Sequence, residues 1–285
     1  MMQPPGMALR HVNPLNKERM APFDPQKDIR VLREPAVYLV GRQVVDDRFL
    51  DHFLADHGVS WQTDTEIAAE HLVETAGRVC YMSFAKPRPG GNKAYIGHIL
   101  EVGHGSVLEH GVWNFIFAGI SRTCTHELVR HRAGWGYSQL SQRYVDESVA
   151  EYVEPDCIAD QQELHKIWLE AVAHAHQAYL KLSEGLMETY KAESDRTLRR
   201  KLARQAARSI LPNATETKIF VTANARALRH FIELRASRHA EVEIRKLAIA
   251  VLRIMQQESP NLFGDYELVP LPDGTCEATT SHKKV

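Results

Sequence analysis

The sequence predicts an α+β fold. Three observations carry this. Helical periodicity fills most of the chain beyond residue 65. The strand-like runs are few and scattered, and they do not alternate with helices as a doubly wound sheet requires. The 285 residues are 44% hydrophobic and 25% charged, an ordinary composition for a folded domain with a sizeable core.

Residues 1–30 are rich in Pro, Asn and charge and read as a loose arm. Ala36–Val40 follows Pro35, stops at Gly41 and reads as a strand. From Thr65, apolar residues at Ile67, Ala68, Leu72, Val73 and Ala76 recur at helical steps. Lys86–Gly91 is a Pro/Gly loop, after which Asn92 is expected to cap a helix ending at Gly103. Trp113–Ala118 has strand composition, with Trp113, Phe115 and Phe117 on one face. Ser121 is expected to cap a helix reaching Arg132, closed by Gly134, and residues 134–143 read as a polar loop. Gln161–Lys191 is a long amphipathic helix with Leu164, Trp168, Val172, Ala175, Tyr179, Leu182 and Leu186 on its apolar side. Thr197–Ile210 is a further helix and Lys218–Thr222 a short strand. Asn224–Arg235 and His239–Gln257 are the last helices, stopped by Pro260. No internal repeat is visible.

Lys+Arg and Asp+Glu number 35 and 36, so no global field favours nucleic acid. The four cysteines, Cys80, Cys124, Cys157 and Cys276, form no CxxC pair, and a reduced, cytoplasmic protein is expected. Cys80 and Cys124 read as buried small hydrophobes rather than nucleophiles. The N-terminus lacks the apolar core of a secretory signal, and the longest apolar stretch, Trp113–Ile120, is too short to span a bilayer.

Three constellations could carry chemistry. Arg130-His131-Arg132 is followed by Ser138, Gln139, Ser141 and Arg143, which places three Arg within fourteen residues. Guanidinium forks suit phosphate or the edge of a planar heterocycle. The ordinary alternative is a solvated basic helix end. His104-Gly-Ser106-Val-Leu-Glu109-His110 combines flexible backbone with a hydroxyl donor, or is simply a polar junction. Asn224-Ala-Arg226, His230, Arg235 and His239 place polar groups at helical spacing beside apolar Phe231, Ile232 and Leu234, as in a half-buried site wall. A salt-bridged surface helix is the alternative, with Glu233, Glu241 and Glu243 as partners. His126-Glu127-Leu-Val-Arg-His131 is one residue too long for the zinc-protease pattern, and no metal site is expected.

Together these motifs resemble the flavin-dependent thymidylate synthases, the ThyX family. Arg130-His-Arg132, eight residues, then Ser141-Gln-Arg143-Tyr144 is similar to the family signature. Gly103–His110, Arg78–Tyr81, Arg208–Pro212 and Asn224–Ile244 match further family segments in the right order. The resemblance runs from about Gly77 to Tyr266. It implies helices packed on a mixed or antiparallel sheet, in a homotetramer with active sites between subunits. It implies FAD as cofactor, and dUMP, NADPH and methylenetetrahydrofolate as the molecules bound, with no nucleic acid or membrane partner. Ser106, Arg130, His131, Arg132, Gln139, Asn224, Arg226 and His230 are expected at FAD. Glu127, Arg130, Gln139, Ser141, Arg143, Arg208 and Arg235 are expected at dUMP, with Arg235 the catalytic residue at the uracil edge. Residues 61–270 would form the synthase domain, preceded by an extension (1–60) and followed by a tail (271–285). Three departures stand out: the loop between Arg132 and Ser141 is one residue longer than usual, Gln139 stands where Glu is common, and Glu127 where Gln is common. A metal-dependent nucleotide phosphohydrolase using His104, Glu109, His110, His126 and His131 is the rival enzyme reading. A nucleic-acid-binding module built on the Arg segments is the rival without catalysis.

Overall fold

The computed structural model describes residue 25, residues 29–85 and residues 89–285. Most of the expected N-terminal arm and half of the Lys86–Gly91 loop lie outside the described residues; the arm's last two residues are not loose, because Ile29 is buried and Arg30 begins a strand. The fold is α+β, as its sequence pattern predicts. Its centre is a four-stranded antiparallel sheet in the order β2 (Ala36–Arg42), β3 (Val112–Ser121), β6 (Glu216–Asn224), β4 (Trp135–Gln139). The short strands β1 (Arg30–Leu32) and β5 (Glu151–Val153) pair in parallel beside it, and β7 (Glu267–Pro270) and β8 (Cys276–Thr279) form a hairpin.

One face of the sheet is apolar and covered. Trp113, Phe115 and Phe117 of β3 and Ile219, Val221 and Ala223 of β6 alternate inward and are fully buried. Over them pack α9 (Ala225–Arg235), α10 (Val242–Glu258) and α11 (Pro260–Phe263), which contribute Phe231, Ile232, Leu247, Val251 and Phe263 to one continuous core. Helices α2 (Ala68–Tyr81), α3 (Gly91–Glu101) and the single turn α4 (Gly105–Leu108) extend that core. Helix α1 (Asp47–Asp56) packs separately, its Leu54 buried with Trp61 and Phe84. The turn α6 (Asp156–Ala159) leads into α7 (Gln162–Thr189), which forms a hairpin with α8 (Arg196–Ala207) and packs Leu169, Val172 and Ala173 against Tyr152 and Ile29 in a third cluster.

Several sequence expectations need correction. Residues 134–143 are not all loop, because Trp135–Gln139 is β4, the edge strand beside β6. The helix begun by Ser121, α5 (Arg122–Leu128), stops four residues before Arg132, and its last turn is closed by Tyr137 Oη donating to the Leu128 and His131 carbonyls. Asn92 is not a cap. Gly90, at φ +92°, begins α3, and the buried Asn92 amide donates to the Glu70 carbonyl and to Glu74. Leu164 and Leu182 are exposed, because α7 buries the row Leu169, Val172, Ala173, His176 and Tyr179 instead. Cys80 is exposed, since α2 buries Val73, Gly77 and Arg78 on the opposite side, whereas Cys124 is buried as expected.

A bulge in β3 sets up the site. Register slips between Phe117 and Ile120, and Gly119 takes φ +66°. A Cβ there would lie 2.7 Å from the Glu34 carbonyl oxygen, so only glycine fits. The bend delivers Ser121 to the N-terminus of α5, where its hydroxyl accepts from Cys124 N–H.

Candidate active site

Helices α5 and α9 leave opposite ends of neighbouring strands and run back over the same sheet face. Ser121 closes β3 and caps α5; Asn224 closes β6 and caps α9, accepting from Ala227 N–H at 2.8 Å. The C-terminal ends of both helices therefore converge. There Arg235 Nη1 donates to Glu127 Oε2 at 2.7 Å, and Arg235 Nε donates to His131 Nε2 at 3.2 Å. Arg235 and Glu127 keep 24% and 29% of their side-chain surface, so the pair is open to a ligand yet largely desolvated. Two edges of the guanidinium are fixed, and among the described residues Nη2 has no hydrogen-bond partner.

His131 is buried, and its imidazole is pushed down to about 4 by burial first, then by the Arg235 and His230 charges. It is neutral at pH 7, so its Nε2 is an acceptor and Nδ1 carries the proton. The cationic edge of this pair thus belongs to Arg235 alone. Glu241, at the start of α10, is pushed up to about 7, chiefly by its hydrogen bond with Glu127 and then by burial. Two carboxyls side by side hold one proton more readily than they hold two charges. Glu243 accepts from Ser121 N–H (2.6 Å) and Oγ (2.7 Å), tying α10 to the α5 cap.

Aromatic rings pack behind this centre, Phe231 fully buried and Trp135 and Tyr137 partly exposed. Trp135 and Tyr137 stack at 5.7 Å with planes 9° apart. Phe231 meets both Trp135 and His131 edge to face, and His230 lies 6.1 Å from His131. At the opposite end of α9, Arg226 Nη1 pairs with Glu109 at 2.6 Å, beside Gly105 and exposed Ser106. Gly134, at φ +74°, lies so close to Asn224 that a Cβ would stand 2.6 Å from its amide nitrogen.

The structure therefore brings Glu127, His131, His230 and Arg235 together, and seats Asn224, Arg226 and Ser106 at the far end of one helix. Gln139 is turned inward, its amide donating to Thr125 and Thr217 hydroxyls, which leaves its oxygen for a ligand. Arg130 and Arg132 are exposed without ion-pair partners among the described residues. Ser141 and Arg143 lie beyond β4, with Arg143 over the Tyr144 ring at 5.5 Å. Arg208 sits in the turn after α8, close enough to Arg122 that each repels the other's charge. Within one chain, no hydrogen bond or ion pair among the described residues joins Ser141, Arg143 or Arg208 to Arg235. Sequence reasoning missed Trp135 and Tyr137 behind the site and Glu241 as partner of Glu127. The period-two spacing of Trp135, Tyr137 and Gln139 was the available signal. Among the described residues, no three His, Cys, Asp or Glu side chains gather as a metal-holding group, which leaves the phosphohydrolase alternative without a ligand set there.

The donor set fits a flavin dinucleotide. Unpaired guanidiniums suit its pyrophosphate, and the aromatic rings with neutral His131 suit a planar heterocycle. Comparison with known proteins agrees. A family model described as thymidylate synthase complementing protein, Thy1, matches residues 63–261. The flavin-dependent thymidylate synthase of Mycobacterium sp. (strain JLS) is 53% identical over 234 residues, which is 80% of this chain and 91% of that protein. That of Mycobacteroides abscessus is 51% identical over 225 residues, 78% of this chain and 89% of that protein. In fold, the chain is similar to a UMP/dUMP methylase, PolB, from Streptomyces cacaoi bound with 5-Br UMP. The TM-score is 0.59 at 20% identity, over 83% of this chain and 95% of that one.

Proposed function

The chain belongs to the Thy1 family, the flavin-dependent thymidylate synthases, and from that premise we propose that it converts dUMP to dTMP with FAD as cofactor. Methylenetetrahydrofolate is the one-carbon donor and NADPH the reductant. The observation that carries the reading is the Arg235 guanidinium, partly exposed and held on two edges by Glu127 and neutral His131, with no partner for Nη2 among the described residues.

When bound, the flavin supplies the hydride chemistry. The chain's own residues supply position and field. Methylation at a uracil ring carbon requires negative charge to build on the ring, and a fixed guanidinium stabilises that charge without gaining or losing a proton. Glu127 and His131 keep Arg235 from swinging, so little reorganisation is needed when substrate arrives. Because His131 is neutral, the cationic donor facing the ring in this pair is Arg235. Arg143, Arg208 and the Ser141 hydroxyl suit the dianionic phosphate of dUMP. Ser106, Arg130, Arg132, Asn224, Arg226 and His230 line the FAD side.

The family resemblance supports sites completed between subunits of a homotetramer. The outer sheet face, where Tyr38 and Phe220 are exposed, supports the same assembly. Among the described residues, no helix is long and apolar enough to cross a membrane, and we place the enzyme in the cytoplasm.

The test is a dTMP assay by chromatography, with FAD, NADPH and the folate each omitted in turn. Formation that requires all three supports the reading. Formation without flavin, or none with all present, overturns it.

A further inference from the structure

The last residues of the described chain do not trail away from the fold. Arg229 of α9, fully buried, forms a two-pronged pair with Asp265 (2.6 and 2.8 Å). That pair then collects the C-terminal segment: Thr280 Oγ1 donates to Asp265 at 2.5 Å, the His282 ring lies 3.3 Å from the same oxygen, and Arg229 Nη2 donates to the His282 carbonyl at 3.2 Å. One turn along α9, Glu233 accepts from Lys284 N–H at 2.9 Å. Lys284 takes φ +59°, a backbone conformation that a residue with a Cβ holds only where its surroundings enforce it. Val285 is buried, its side chain part of the main core.

These contacts end beside the flavin-side residues. A Cβ added to Gly105 would stand 2.5 Å from the Val285 carbonyl carbon and 2.9 Å from Arg226 Nε. Gly105 is therefore needed because both groups press on it from one side, and the next residue is Ser106. Arg226 itself is half-exposed, with Glu109 as its ion-pair partner, a pairing too weak alone to fix so long a side chain.

We propose that residues 280–285 form a wall of the flavin site, packing against Gly105 and Arg226 so that docking of this segment positions Arg226 for the cofactor. This rests on the flavin reading above. The segment is a positioning element, with Arg229, Asp265 and Glu233 as its anchors on the body of the fold.

The test uses the full chain stripped of flavin, a variant lacking residues 281–285, Arg226→Ala, and the combination of both changes. FAD affinity is read by quenching of flavin fluorescence, and thermal unfolding is recorded for each protein. Removal of 281–285 is expected to weaken FAD binding about 10-fold in the parent and to change it little on the Arg226→Ala background. Glu233→Ala, which frees Lys284 without touching Arg226, is expected to weaken binding about 3-fold and guards against a truncated chain that fails to fold. Unchanged FAD affinity in the truncated and Glu233→Ala proteins overturns the proposal. So does an equal loss on both backgrounds, which would mean general destabilisation. If the unaltered chain takes up no FAD, the flavin reading itself fails, a result the parent protein alone reveals.

Discussion

Protonation of His131 would set a buried charge beside Arg235, and the structure fixes what this costs the fold. The imidazole is held at about 4 in the native protein, against an ordinary value near 6.5 in an unfolded chain. Between these values the unfolded chain binds more protons than the native one. Stability from neutral His131 is therefore complete above about pH 6.5 and is lost as pH falls toward 4. Integrating the difference gives a loss of about 2.5 kcal/mol between pH 7 and pH 4.5. In His131→Gln the amide oxygen can accept from Arg235 in place of Nε2, and nothing at the position titrates. Urea unfolding at pH 7 and pH 4.5 measures the change in both proteins. The parent is expected to lose about 2.5 kcal/mol more than His131→Gln across that interval, whatever other carboxylates contribute to both. Equal pH-dependence in the two proteins would refute a buried neutral imidazole, and with it the assignment of the site's cation to Arg235.

Further outcomes follow from the same geometry. Glu127→Gln removes the largest of the causes that hold Glu241 up near 7, so Glu241 should titrate below its position in the parent, yet above an ordinary glutamate because burial and Glu243 remain, when followed by carboxyl-carbon NMR. Arg235→Lys keeps a charge but loses the planar fork clamped by Glu127 and His131, and dTMP formation should fall roughly 100-fold or more while FAD remains bound. Asp265→Ala leaves the Arg229 guanidinium buried without its carboxylate, and denaturant unfolding should show a loss of about 3–5 kcal/mol. Ser121→Ala removes the α5 cap and the hydroxyl that Glu243 accepts from, and should cost about 1–2 kcal/mol in the same assay.

What the sequence made legible follows the length scale of the signal. β3 was readable because Trp113, Phe115 and Phe117 alternate over a buried face, and α9 and α10 because their apolar rows keep helical period. The α5 cap was readable because Ser121 acts within three residues of itself. β4 was hidden by Gly136 within it, by Gly134 just before it, and by its edge position, where Trp135 and Tyr137 remain partly exposed. β1 and β5 were hidden because three-residue strands joined across more than a hundred residues leave no local pattern. The contacts of Arg235 with Glu127 and His131 span 108 and 104 residues, and no periodicity could join them; only the resemblance of separated motifs placed the three in one site. Glu241 escaped because its role depends on a neighbour from another helix, and residues 280–285 because their anchors, Arg229 and Asp265, look like ordinary surface charges in sequence.

The visible absorption spectrum of the purified protein, recorded anaerobically before and after NADPH in the presence of dUMP, tests the central claim most directly. A flavin spectrum that bleaches on addition of NADPH is expected. A protein that is colourless and stays so after incubation with FAD would contradict it.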